Sequence, residues 1–128
     1  MIYSLSVSKA GAIKPSAINP GNVLPLSPVV FSILLALAGS DKHGYAIMKE
    51  AALPEGGGVI MGPGTLYGSL DRMMRSGLVE ETGLTDNERR RYYRITKFGT
   101  EVFSAEAARL ARVMSAVRRK AVLDGVRS

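Results

Sequence analysis

The sequence has no cysteine, no tryptophan and one histidine, His43. Without cysteine there can be no disulfide, thiolate zinc site or cysteine nucleophile, and the composition suits a reducing cytoplasm. A single histidine excludes a His-rich metal site within one chain. A membrane span needs roughly 20 apolar residues. The apolar run Val29–Ala38 is about half that length, and Pro25 and Pro28 interrupt any upstream extension. Charged Asp41 and Lys42 follow it, without the small-residue cleavage site of a secretory leader. A buried helix is the expected form of this run, and no membrane partner is expected.

What is present is basic charge, unevenly placed. The 128 residues carry a formal net charge of +6, with a pI near 9.9. Residues 64–128 hold 13 Lys/Arg against 8 Asp/Glu, whereas residues 1–63 hold 4 against 3. A basic balance alone fits DNA, RNA or a membrane surface equally. Hydrophobic content of 46% is ordinary for a globular chain, and the length allows one domain with one modest core.

Residues 1–26 contain Gly11, Pro15, Pro20, Gly21 and Pro25 with no sustained period. They read as a loose or partly disordered arm, with a short strand at Met1–Val7 as an option. Ser27-Pro28 is a helix start, with Ser as cap and Pro at the first helical position. The first helix is expected to reach Ala38 and end at Gly39. A second runs from about His43 to Leu53, with Tyr45, Ile47, Met48 and Ala51 or Ala52 as its apolar stripe. A third starts at Gly62-Pro63 and ends at Gly77, an αL cap. Leu66, Leu70 and Met73 face the core, while Thr65, Ser69, Arg72 and Ser76 face away.

Leu78–Glu81 and Arg91–Ile95 are β-prone, and Gly83, Asp86 and Asn87 between them form turns. A hairpin with a loop of about nine residues follows. The last helix spans about Thr96–Val122. Phe103, Ala107, Leu110, Met114, Val117 and Ala121 recur along it at heptad spacing, a surface for a partner helix and most simply for a homodimer. Packing on the chain's own first helix is the competing use. Arg118, Arg119 and Lys120 near its end suit the helix dipole.

The third helix and the hairpin carry the chemistry. A helix fits the major groove of DNA, and its hydroxyls and guanidinium can bond base edges or phosphates. Gly64 and Gly68 let backbone approach a groove closely. Arg89, Arg90 and Arg91 repel one another by about 1 kcal/mol per close pair in water, a penalty a phosphate track removes. A solvated charged loop is the bland alternative. Tyr93 shares a strand face with Ile95 and is expected in the core. Tyr92 is left open, and the Tyr67 hydroxyl is placed to reach a phosphate. His43, before a glycine at a helix start, reads as a capping or packing residue, since no general base or nucleophile gathers around it.

These residues resemble the PadR family of bacterial transcriptional regulators. The matching pieces are Leu34–Leu37, His43–Ile47, Gly64–Tyr67 with Leu70, Ser76–Val79, and Arg91–Thr96 with Gly99, in order over about residues 27–103. The resemblance implies a homodimeric winged-helix repressor of the shorter kind, with one C-terminal dimerisation helix. The arm is longer than the family usually has. The absence of tryptophan argues against a flat aromatic drug as effector.

The expected fold is mainly α with a small β-hairpin wing, a winged helix-turn-helix plus a long C-terminal helix. The expected organisation is an arm at 1–26, a DNA-binding domain at 27–96 and a dimerisation helix and tail at 97–128. The expected partners are double-stranded DNA, most simply an inverted repeat, a second copy of the chain, and an effector of unknown identity. DNA contacts are assigned to Thr65, Tyr67, Gly68, Ser69, Arg72, Arg89, Arg90 and Arg91. No cofactor, metal or enzymatic activity is expected. A protein-interaction module without DNA binding is the alternative.

Overall fold

A computed structural model of the chain describes residues 19–83 and 90–123. The expected strand at Met1–Val7 and the tip of the hairpin loop lie outside these residues. The described elements are α1 (Pro28–Leu37), β1 (Lys42–His43), α2 (Gly44–Ala52), α3 (Pro63–Arg75), β2 (Val79–Glu81), β3 (Tyr92–Ile95) and α4 (Lys97–Leu123).

Local chemistry sets the boundaries. The Ser27 side chain accepts from the Val30 amide at 3.2 Å, with Pro28 in the first turn. Such a cap contributes about 1 kcal/mol. His43 caps α2 in the same way, its Nδ1 accepting from the Ala46 amide at 3.2 Å. Gly77 ends the third helical segment with φ 79°, a left-handed conformation glycine adopts without strain. Thr96 opens α4: its hydroxyl accepts from the Gly99 amide at 2.9 Å and donates to the Gly77 carbonyl.

The sheet has three strands in the order β1-β3-β2, both pairs antiparallel. β1 is absent from the sequence reading, which began α2 at His43. It pairs Lys42 with Tyr93 and His43 with Tyr92. This two-residue strand brings the start of α2 against the wing.

The core gathers Ile33, Leu34, Leu37, Ile47, Leu66, Leu70, Met73, Val79, Tyr93 and Val102. Tyr93 is buried as expected. Tyr45 is not part of the α2 stripe; it is exposed, with the Lys49 ammonium 5.5 Å from its ring centre. Phe31 of α1 stacks on Phe103 of α4 at 5.5 Å.

Within the segment expected to be a loose arm, residues 19–26 are ordered. Pro20–Val23 form a 3-10 turn against α4, capped by Asn19. The Leu26 amide donates to Glu106 Oε2 at 3.0 Å, and Arg109 Nε donates to the same carboxylate at 2.6 Å. Glu106 is only 2% exposed. With Arg109 Nη2 donating to Oε2 at 3.0 Å, three donors offset the cost of burying a charge. The Arg109 bond holds this carboxyl below its ordinary range; burial opposes the shift and the Leu26 amide adds to it.

Candidate nucleic-acid interface

Thr65, Tyr67 and Arg72 are exposed on α3, and Gly68 is half-buried. Ser69 corrects the expectation. It was placed on the outward face, but its side chain is buried at 2% exposure. It lies three residues after Leu66 and four before Met73, which is core spacing on a helix. Its hydroxyl accepts from Arg72 Nη2 at 3.3 Å. The nearest atom to a β-carbon built at Gly68 is Arg72 Nη1 at 3.7 Å, an ordinary contact, so the guanidinium does not require glycine there. Ser69 therefore lies inside α3's buried side and is bonded to Arg72 rather than facing outward.

The second group lies where α2, α3 and the wing converge. The Tyr67 side chain rests on Gly44, and a β-carbon at Gly44 would collide with the Tyr67 hydroxyl. The β1–β3 register sets His43 beside Tyr92, with the rings edge to face at 5.5 Å. Arg90 Nη1 stands 3.1 Å from His43 Nε2. Together His43, Gly44, Tyr45, Tyr67, Arg90, Arg91 and Tyr93 line a crevice of about 390 Å³. Burial pushes the Tyr93 phenol above its ordinary value, Glu81 and Tyr67 add to this, and Arg91 opposes it.

The wing arginines differ in their ties. Arg91 is well exposed and loosely paired with Glu81 at 3.6 Å. Arg94 is held by Asp41 at 3.1 Å and Glu80 at 4.0 Å, on the sheet rather than in the crevice. Arg89 lies outside the described residues. The sequence singled out Tyr67, Arg90 and Arg91, which the structure brings to one crevice, and read His43 as a capping or packing residue. The signal that its second ring nitrogen faces the wing comes from β1, which is too short to leave a period.

Of the seam residues on α4, Phe103 is half-buried on the chain's own core and Ala107 is exposed. Leu110, Met114 and Val117 are exposed at 37%, 47% and 51%, and Ala121 is half-buried. Val113, absent from the seam as read, is exposed beside them. Among the described residues no helix is long and apolar enough to cross a membrane, and no group of three or more His, Cys, Asp or Glu could hold a metal ion.

Residues 33–105 match the transcriptional regulator PadR-like family. The chain belongs to this family. It is 39% identical over 94 residues, 73% of its length, to an uncharacterized 37.1 kDa protein in transposon TN4556 of Streptomyces fradiae. It spans about a quarter of that relative, 26% of its length. It is similar to a PadR family transcription regulator from Clostridium difficile R20291, with a TM-score of 0.63 and 21% identity, covering 73% of this chain and 97% of that one. It is similar also to RosR of H. salinarum, with a TM-score of 0.56 and 26% identity over 78% and 97% of the two chains. The PadR-like fold is thus shared: a winged helix with a long helix after it. The family's proteins are transcriptional regulators.

Proposed function

We propose that the chain is a cytoplasmic, sequence-specific DNA-binding regulator that acts as a homodimer, most simply as a repressor released by a signal. The observation that carries this reading is the convergence of Tyr67, Arg90 and Arg91 on one crevice beside the exposed side of α3. A helix side with a hydroxyl and a guanidinium suits base edges, and the flanking cations suit the backbone. Thr65, Tyr67 and Arg72, with Gly68 allowing close approach, meet the major groove; Ser69 holds Arg72. Arg89, Arg90 and Arg91 grip phosphates from the wing. Leu110, Val113, Met114 and Val117 form the dimer seam.

If Arg72, Arg89, Arg90 and Arg91 each neutralise one phosphate per subunit, a dimer makes about eight contacts and the log–log salt slope is about −7. Selection of bound duplexes from a random pool tests the reading directly. An inverted repeat is the expected product. A pool that yields no enriched duplex, with no retarded band at low salt, favours a protein-interaction module instead.

A further inference from the structure

We infer that Arg75 reads a guanine in the major groove and that Asp71 positions it for that contact. The inference rests on the duplex-binding reading above and adds to it a residue that chooses sequence.

The direction α3 faces follows from what it buries. Its buried residues are Leu66, Ser69, Leu70 and Met73. At 3.6 residues per turn they share one side of the helix. The residues half a turn away from the middle of that side are Gly64, Gly68, Asp71 and Arg75, which form one stripe at helical spacing. Gly64, Asp71 and Arg75 are exposed and Gly68 is half-buried. Thr65 and Arg72 stand at one edge of this stripe and Tyr67 at the other. Burial of Ser69 thus turns the outward side of α3 toward Asp71 and Arg75, and a groove that receives α3 has its floor nearest to them.

The two side chains act as a unit. Arg75 Nη2 donates to Asp71 Oδ2 at 2.6 Å, one turn back toward the start of the helix. Both are well exposed, at 65% and 60%. The bond draws the guanidinium from the end of α3 to the turn that carries Gly68 and Asp71. It occupies one of five N–H groups, and the others include the parallel donors that guanine O6 and N7 accept together. An arginine already held in place loses less side-chain freedom on binding. The carboxylate itself favours a base over the backbone, because it repels phosphate and a face made only to grip would be better without it. Exposed pairs of this kind contribute little to stability, so the fold has small use for the contact. The glycines agree with close approach: a β-carbon at Gly64 would meet nothing within 4 Å.

Binding to the duplex enriched from a random pool is compared with binding to a duplex of random sequence. Arg75→Ala should weaken the first by about 5- to 150-fold per half-site, the range for one bidentate arginine–guanine contact, and the second by less than about threefold. Selection repeated with Arg75→Ala should lose one guanine per half-site and keep the other positions. A duplex with 7-deazaguanine there, which lacks the N7 acceptor, should bind wild type more weakly and Arg75→Ala no differently. Asp71→Asn tests the positioning role. It should weaken binding to the enriched duplex and strengthen binding to the random one, so that the ratio of the two falls about tenfold, whereas a merely structural pair would move both alike. Thermal midpoints of both variants should match wild type, since both side chains are exposed. Equal losses on both duplexes with a shallower salt slope would make Arg75 a phosphate contact. No loss on either, or wild type indifferent to 7-deazaguanine at every guanine, would leave the pair a surface ion pair. Each of these results overturns the guanine contact and leaves DNA binding intact. Wild-type protein that enriches and retards no duplex overturns both readings.

Discussion

The α4 end and the wing end of this molecule place charge in opposite ways. At the α4 end a carboxylate is inside and satisfied: Glu106 takes bonds from Leu26 and Arg109, while Val113, Met114 and Val117 lie outside. At the wing end the apolar groups are inside, with Tyr93 buried, while cations and donors face outward at the crevice. A finished polar contact with apolar surface beside it suits another helix. Exposed cations beside a half-open crevice suit an anion.

The largest effect that can break this contrast lies on the outer α4 surface. Val117→Asp should raise the dissociation constant of the proposed dimer by roughly 100-fold or more, since a valine buried across a two-fold contributes about 1.5 kcal/mol or more, twice over. Sedimentation equilibrium measures it. A variant that dimerises as tightly as wild type would remove α4 as the interface.

Next comes the inner side of the same helix. Glu106→Ala strands the Leu26 amide and should cost about 2 kcal/mol of unfolding free energy, read from denaturant midpoints. The pH dependence has a definite sign. The folded-state value of Glu106 is depressed, so its contribution is fully present above the ordinary carboxylate range and is lost as pH falls from there through the lower folded-state value. Wild type should therefore lose stability on acidification more steeply than Glu106→Gln. Equal acid limbs would mean that the carboxylate adds nothing beyond its neutral isostere.

At the wing end, Arg90→Gln should weaken binding to all duplexes alike and make the salt slope shallower by about one per subunit. Titration of binding against salt reads both. A loss confined to the selected site would move Arg90 from backbone to base contact.

The sequence carried the architecture where local chemistry decides it. Ser27-Pro28 and Gly77 mark their boundaries without help from the rest of the chain. Ser69 was legible and misread: its spacing from Thr65, Arg72 and Ser76 suggested the outer face, but its spacing from Leu66 and Met73 is equally that of the core, and the structure buries it. Glu106 was not legible, because its amide partner lies 80 residues away and nothing local distinguishes it from a surface glutamate. β1 was hidden for a different reason, since two residues cannot show alternation and only pairing with β3 makes them a strand. The crevice depends on that pairing, so its lining residues were found singly and their meeting was not.

The smallest predicted effect is the sharpest test of the wing, because it separates two arginines four residues apart. Composition treats Arg90 and Arg94 alike. Arg94 is engaged by Asp41 and Glu80 on the sheet, and its charge is already matched there. Such exposed pairs contribute about 0–1 kcal/mol, so Arg94→Gln should change stability little. It should also leave duplex affinity within about twofold and the salt slope unaltered, because Asp41 and Glu80 hold it on the sheet, away from the crevice. If Arg94→Gln flattens the slope as much as Arg90→Gln does, the wing binds by total charge and the crevice has no special part. If only Arg90 matters, the geometry set by the short β1 strand, and not the number of arginines, directs the backbone to this end of the molecule.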